Sequence, residues 1–260
     1  MEKVLKNSWA LFLGMGALML AYGFQGSLLG VRAVKEEFSL TETGFMMSGY
    51  FVGYFIGAKT IPQIISRVGH IRVFAAFASV ASLVVLIHAV YVSPFVWFLL
   101  RVLTGISMVS IYTVAESWLN DRASNKNRGS VLSVYMVILY GAMGLGMFLL
   151  NFSDPLNFEP FILISVITSA ALIPILLTKR KAPTFKKIST MSLQEVFISS
   201  PFGMVSAFFL WNNTICIIYI ACCIRNNNEF FYFSNFISYF FTCCIRCNLS
   251  VANWKIVRHV

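Results

Sequence analysis

Aspartate occurs only twice, at Asp121 and Asp154, and Asp and Glu together number 10 in 260 residues. No apolar segment can therefore hold a pair of aspartates. Neither a His-Glu-x-x-His nor a Gly-x-Ser-x-Gly sequence occurs, so the metalloprotease and serine-hydrolase motifs are missing and no enzymatic activity is expected. Charge of either sign is scarce, at 12% of residues, where soluble domains carry about 25%. Cysteine is absent up to Ile215; all 6 fall between Cys216 and Cys247. Their spacing, two adjacent pairs with one lone Cys244-x-x-Cys247 and no second such pair, does not make a zinc pattern. Neither a metal nor another cofactor is expected.

Apolar sequence fills the space that charge leaves. Hydrophobic residues make up 58% of the chain and mean hydropathy is +0.77. A chain this apolar cannot cover its surface with polar groups, so it belongs in a lipid bilayer. The net charge of +10 does not point to nucleic acid, because the basic residues form short clusters between apolar runs, as topology signals do. Six apolar stretches, each roughly 20 residues, are long enough to cross the hydrocarbon layer: 9–31, 44–65, 72–92, 95–118, 130–151 and 159–178. The first is too long for a signal peptide and no small-residue cleavage site follows it, so it is read as an uncleaved span.

The connecting segments divide sharply by charge. One side carries Lys3, Lys6, Arg67, Arg72, Arg122, Lys126, Arg128, Lys179, Arg180, Lys181, Lys186 and Lys187; the other carries only Arg32 and Lys35. The positive-inside rule then places the N-terminus in the cytoplasm. Glycines repeat at four-residue spacing, Gly49, Gly53 and Gly57 in the second span and Gly26 and Gly30 in the first. Small residues so spaced let helix backbones approach closely inside lipid, where no hydrophobic effect drives association.

Polar groups at membrane depth are few. Arg101 begins "RVLTG" in the fourth span, four residues before Gly105. A charged group there is costly, so it faces a cavity or a partner, or snorkels to the outer surface about two turns away. Glu116 and Asn120 share a face at i,i+4, and Glu116 either contacts Arg122 or Arg128 or is solvated. Gln25 in mid-span 1 bonds either a solute or a neighbouring helix.

The turn between the second and third spans reads "PQIISRVGHIR". Arg67, Gly69 and Arg72 resemble the Asp-Arg-x-Gly-Arg-Arg loop of the major facilitator superfamily of transporters, with Ser66 where that family has Asp and His70 where it usually has Arg. "RVLTG" resembles the family's fourth-helix motif, whose arginine is linked to proton coupling. "GAMGLG", with Gly141, Gly144 and Gly146, resembles the glycine-rich fifth helix of drug and proton antiporters in the family but lacks its proline, so antiport does not follow.

The resemblance covers about residues 5–205. It implies an all-α integral membrane protein: a six-helix bundle over 1–178 like the N-terminal half of the family fold, a basic cytoplasmic linker over 179–200, and the start of a seventh span followed by an irregular tail over 201–260 holding one or two further apolar segments. It implies secondary active transport of a small solute by alternating access, possible coupling to protons, a plasma (bacterial inner) membrane location, and a midplane site. From this half, Gln25, Arg101, Tyr112 and Glu116 are the expected contributors. The alternative is a genuine six-span protein that dimerises into a transporter or serves as a scaffold.

The tail itself is anomalous. The last glycine is Gly203 and the last proline is Pro201, and "NNNEFFYFSNFISYFF" has the texture of AT-rich DNA read out of frame. A one-nucleotide shift turns Trp254 before Lys255 into Gly, makes Lys255 a Lys or Arg, and permits P-I-G-K-L-S-D across this segment. That resembles the family's second copy of the loop motif. The expectation is that a frameshift near residues 206–216 produced the tail, that its cysteines are incidental, and that the chain by itself is truncated and inactive.

Overall fold

The computed structural model describes residues 2–124 and 127–177. Their regular elements are α1 (Glu2–Lys35), α2 (Leu40–Val68), α3 (His70–Val90), α4 (Pro94–Arg122), α5 (Arg128–Phe148) with a 3-10 turn at Leu149–Phe152, α6 (Glu159–Ala170) and α7 (Leu172–Leu176). The 179–200 linker, the 201–260 tail and all the cysteines lie outside the described residues.

Short turns make sequential helices antiparallel. Before α2, Ser39 and Glu42 form a reciprocal cap: the Glu42 N–H donates to Ser39 Oγ at 3.2 Å, and the Ser39 N–H donates to Glu42 Oε2 at 2.8 Å. This satisfies two helix-end donors at once. Between α2 and α3 a single residue, Gly69, turns the chain at φ 94°, and its N–H closes on the Ile65 carbonyl at 2.8 Å. A side chain at that φ is strained, so the turn requires glycine. At the α3–α4 turn the indole N–H of buried Trp97 donates to the carbonyls of Tyr91, at 2.8 Å, and His88, at 3.2 Å.

Among the described residues, five stretches are long and apolar enough to cross a bilayer: Ser8–Lys35, His70–Val90, Pro94–Arg122, Arg128–Phe152 and Glu159–Leu176. Residues 44–65, expected as the second span, are helical within α2, which is not among these five. Its glycines serve packing and Tyr50 and Tyr54 line a cavity; together with the exposed Lys59 they lower its apolarity. The expected sixth span, 159–178, is interrupted at Ala171. Pro174 has no N–H to return to the Ala170 carbonyl, which breaks a continuous ladder there.

Packing pairs α2 with α4, α1 with α5, and α3 with both α4 and α6. A Cβ at Gly53 would strike the Val102 carbonyl, one at Gly57 the Val109 side chain, and one at Gly49 the Phe98 carbonyl at 2.5 Å; one at Gly105 would strike the Tyr50 carbonyl from the opposite helix. The α2–α4 seam is thus backbone against backbone. Gly26 and Gly30 depart from expectation: a Cβ at Gly26 meets nothing within 4 Å, and one at Gly30 meets only Met47 Cε at 3.8 Å. The close approach between α1 and α5 falls instead at Gly23, against the Met143 carbonyl, and at Gly146, against the Leu20 carbonyl.

Several hydroxyls inside the bundle are satisfied locally, whereas the buried Tyr135 hydroxyl has no partner. Thr104, Ser107, Ser110 and Thr113 each donate to the carbonyl four residues earlier in α4, which meets the demand for partners where water is absent. Ser82 of α3 bonds the hydroxyls of Ser165, at 2.7 Å, and Ser169, at 2.9 Å, in α6, a polar tie between otherwise apolar helices.

Candidate functional site

A cavity of about 580 Å³ opens between α1, α2, α4 and α5, near the middle of those helices. Its walls include Met19, Tyr50, Tyr54, Tyr112, Glu116 and Tyr140. The volume falls within the roughly 300–1,000 Å³ usual for small-molecule sites. The tyrosines arrive by simple geometry. Each residue turns a helix by about 100°, so the glycine stripe that meets α4 carries Tyr50 and Tyr54, one residue on, round to the cavity wall. Opposite, Tyr112 and Glu116 sit one turn apart on α4. The Tyr112 hydroxyl donates to Met19 Sδ at 2.9 Å; sulfur is a weak acceptor.

Glu116 takes part in none of the ion pairs among the described residues. Neither Arg122 nor Arg128 forms an ion pair with it among the described ones: the Arg122 guanidinium lies over the Trp118 ring at 5.0 Å, and Arg128 Nε is buried without a partner. Glu116 is therefore the one charged side chain among the cavity-lining residues of the described bundle.

Arg101 is buried but does not line the cavity. Its guanidinium carbon lies 5.0 Å from the centroid of the Tyr50 ring, and its Nε and Nη1 have no hydrogen-bond partner. It does not snorkel; it packs behind the wall, held by a ring face. Gln25 is likewise buried, with Nε2 unpartnered, and lies outside the cavity lining. Of the four expected site residues, the structure brings Tyr112 and Glu116 together on the wall and leaves Gln25 and Arg101 behind it.

His88 belongs to the same buried polar set. Its Nδ1 donates to the Val84 carbonyl at 2.7 Å and its Nε2 has no partner. Sequence reasoning passed over His88 and the tyrosines Tyr50, Tyr54 and Tyr140. The tyrosines carried a usable signal: Tyr50 and Tyr54 follow Gly49 and Gly53 in register.

In the turn motif, Ser66, Arg67 and Arg72 are exposed, and Ser66 Oγ donates to the Gln63 carbonyl at 2.7 Å. His70 is buried, with Nε2 3.1 Å from Ser117 Oγ, which fastens the turn to α4. At the other end of the bundle, Arg32 pairs with Glu36 at 3.2 Å and Lys35 with Asp154 at 3.4 Å. The Leu156 N–H, and after it Lys35, hold the Asp154 carboxyl below its usual range.

Comparison with known proteins bears on the same residues. The family model described as Major Facilitator Superfamily matches residues 11–249. A protein of Escherichia coli O6:K15:H31 (strain 536 / UPEC), the uncharacterized MFS-type transporter YcaD, is 27% identical over 170 residues, covering 64% of this chain and 44% of its own length. Its counterparts in Escherichia coli strain K12 / DH10B and in O157:H7 (strain EC4115 / EHEC) are 26% identical over the same span. The chain thus spans 44% of the length of the curated relatives it matches.

Proposed function

The chain belongs to the major facilitator superfamily, and on that premise we propose that its helices form one wall of a path through which a small solute crosses the membrane by alternating access. It is an integral membrane protein with the apolar helices that a bilayer requires. The observation that carries the reading is the cavity at mid-helix depth, where four tyrosines and one carboxylate converge from α2, α4 and α5. Polar groups at such depth are retained for solute or ion pathways.

In this reading the N-terminus is cytoplasmic and the membrane is the bacterial inner membrane. The positive-inside asymmetry supports it, and among the described residues the two basic residues of the outer connecting segments, Arg32 and Lys35, are each paired with a carboxylate. In this reading a second bundle stands opposite the tyrosine wall. The tail over 201–260 is read as out of frame. The family match does not stop at the proposed shift near 206–216 but runs on to residue 249, so the support for this reading is the composition of the tail and its shifted-frame text alone. Sequencing the encoding DNA across and beyond these codons tests this: an open shifted frame continuing into further apolar spans supports it, and early stops refute it.

The path itself is tested by spin labels at Tyr112→Cys and, as a lipid-facing control, Leu83→Cys, in cysteine-free protein in nanodiscs. A path requires the label at position 112 to relax with a water-soluble nickel chelate while the label at position 83 responds to oxygen alone. Equal, oxygen-only behaviour at both positions contradicts it.

A further inference from the structure

We infer that the solute taken by this cavity is an organic cation bearing apolar or aromatic substituents, an assignment that rests on the cavity being the solute path. Charge comes first. Among the lining residues of the described bundle Glu116 is the one carboxylic acid, and no basic side chain lines the wall. Arg101 lies against the ring of the lining residue Tyr50 but does not itself line the wall. Along α4 it is 15 positions from Glu116, about 22 Å at 1.5 Å per residue. Lys59 follows the lining residue Ala58 but is itself exposed and outside the lining. A carboxylate facing an apolar space is costly without a cation beside it, and none of the described ion pairs supplies one.

The walls favour the same ligand. Tyr54, Tyr112 and Tyr140 line the space alongside Met19 and Phe55. Aromatic faces attract cations through their quadrupole, most strongly where water is excluded. An inorganic cation would need several oxygen ligands at close range, and the lining offers a single carboxylate and phenol hydroxyls. A large cation with a diffuse charge satisfies both features: it neutralises Glu116 and covers the rings. An anion would meet an unscreened carboxylate, and a neutral solute would leave that carboxylate unpaired.

Equilibrium dialysis of the full 260-residue chain in a non-ionic detergent tests the assignment with three probes of similar shape: tetraphenylphosphonium, tetraphenylborate and neutral triphenylphosphine oxide. Tetraphenylphosphonium is expected to bind saturably, with Kd raised about tenfold or more in Glu116→Gln and changed by less than about threefold in the charge-conserving Glu116→Asp. Saturable binding of the borate or the oxide as tight as that of the phosphonium overturns the inference, as does Glu116→Gln binding like the parent. If one of those other probes binds and Tyr112→Ala abolishes it, the cavity stands as the solute site and only the cation assignment falls. If no probe binds in a way sensitive to Tyr54→Ala or Tyr112→Ala, both readings fall together.

Discussion

The guanidinium carbon of Arg101 lies 5.0 Å from the centroid of Tyr50, one turn of α2 from the Tyr54 ring. A buried cation with two unpartnered N–H groups is thus stabilised by the back of a cavity wall rather than by a carboxylate. Cation–π pairs are worth about 0.5–2 kcal/mol, more when desolvated. A double-mutant cycle on Arg101→Met and Tyr50→Leu, read by thermal unfolding in detergent, is expected to give a coupling of about 1 kcal/mol. Tyr50→Phe, which keeps the ring, is expected to lie close to the parent. Additive single-variant effects would mean that the ring does not hold the cation.

The α2–α4 seam gives a second prediction. A methyl group at Gly53 or Gly105 meets backbone of the other helix, which cannot rotate away. Gly53→Ala and Gly105→Ala are each expected to destabilise by about 1–3 kcal/mol through overpacking. Gly26→Ala, in open space, is expected to be neutral or slightly stabilising because alanine favours a helix. Thermal midpoints of the three purified variants check this ordering.

Much of this seam was legible in the sequence, and the reason the rest was not is specific. Gly49, Gly53, Gly57 and Gly105 announced a close contact because glycine has little other use inside an apolar helix. Gly26 and Gly30 carried the same spacing and make no such contact, since spacing names a stripe without naming its partner. In lipid, interior and exterior are both apolar, so hydrophobic periodicity does not show which face of α1 meets α5; for that reason Gly23 was passed over, and Gly146 was noted as part of a motif without a packing partner. Arg101 and Gln25 stood out as polar groups at depth, and both are buried. Whether such a group lines a cavity or sits behind its wall depends on helix rotation, which Tyr50 and Tyr54 reveal only once α2 is seated on α4.

The α2 N-terminus gives a pH prediction. The Ser39 hydroxyl, and then the Ser39 backbone N–H, hold the Glu42 carboxyl below its usual 4.5. A carboxyl lowered in the folded state stabilises that state above its unfolded pKa, and the contribution is lost as pH falls through the folded value. The cap is therefore intact at neutral pH and opens in the acid range below 4.5. Amide exchange at Glu42 and Thr43, corrected for intrinsic rates, is expected to speed up across that range. In Ser39→Ala it is expected to be fast already at neutral pH.

Topology gives a fourth. Reporter fusions after Ser124 are expected to be active in a cytoplasm-dependent reporter, and fusions after Asn157 in a periplasm-dependent one. The reverse pattern would contradict the orientation inferred from basic residues.

The most direct test of the central claim, that Tyr112 and Glu116 border a water-filled path within the membrane, is sided thiol labelling. Tyr112→Cys and Leu83→Cys, each in cysteine-free protein, are exposed to a charged, membrane-impermeant maleimide in right-side-out and inside-out vesicles. The account predicts that the cysteine at 112 reacts from the cytoplasmic face and that the one at 83 reacts from neither. Equal inertness of both positions, from both sides, would contradict it.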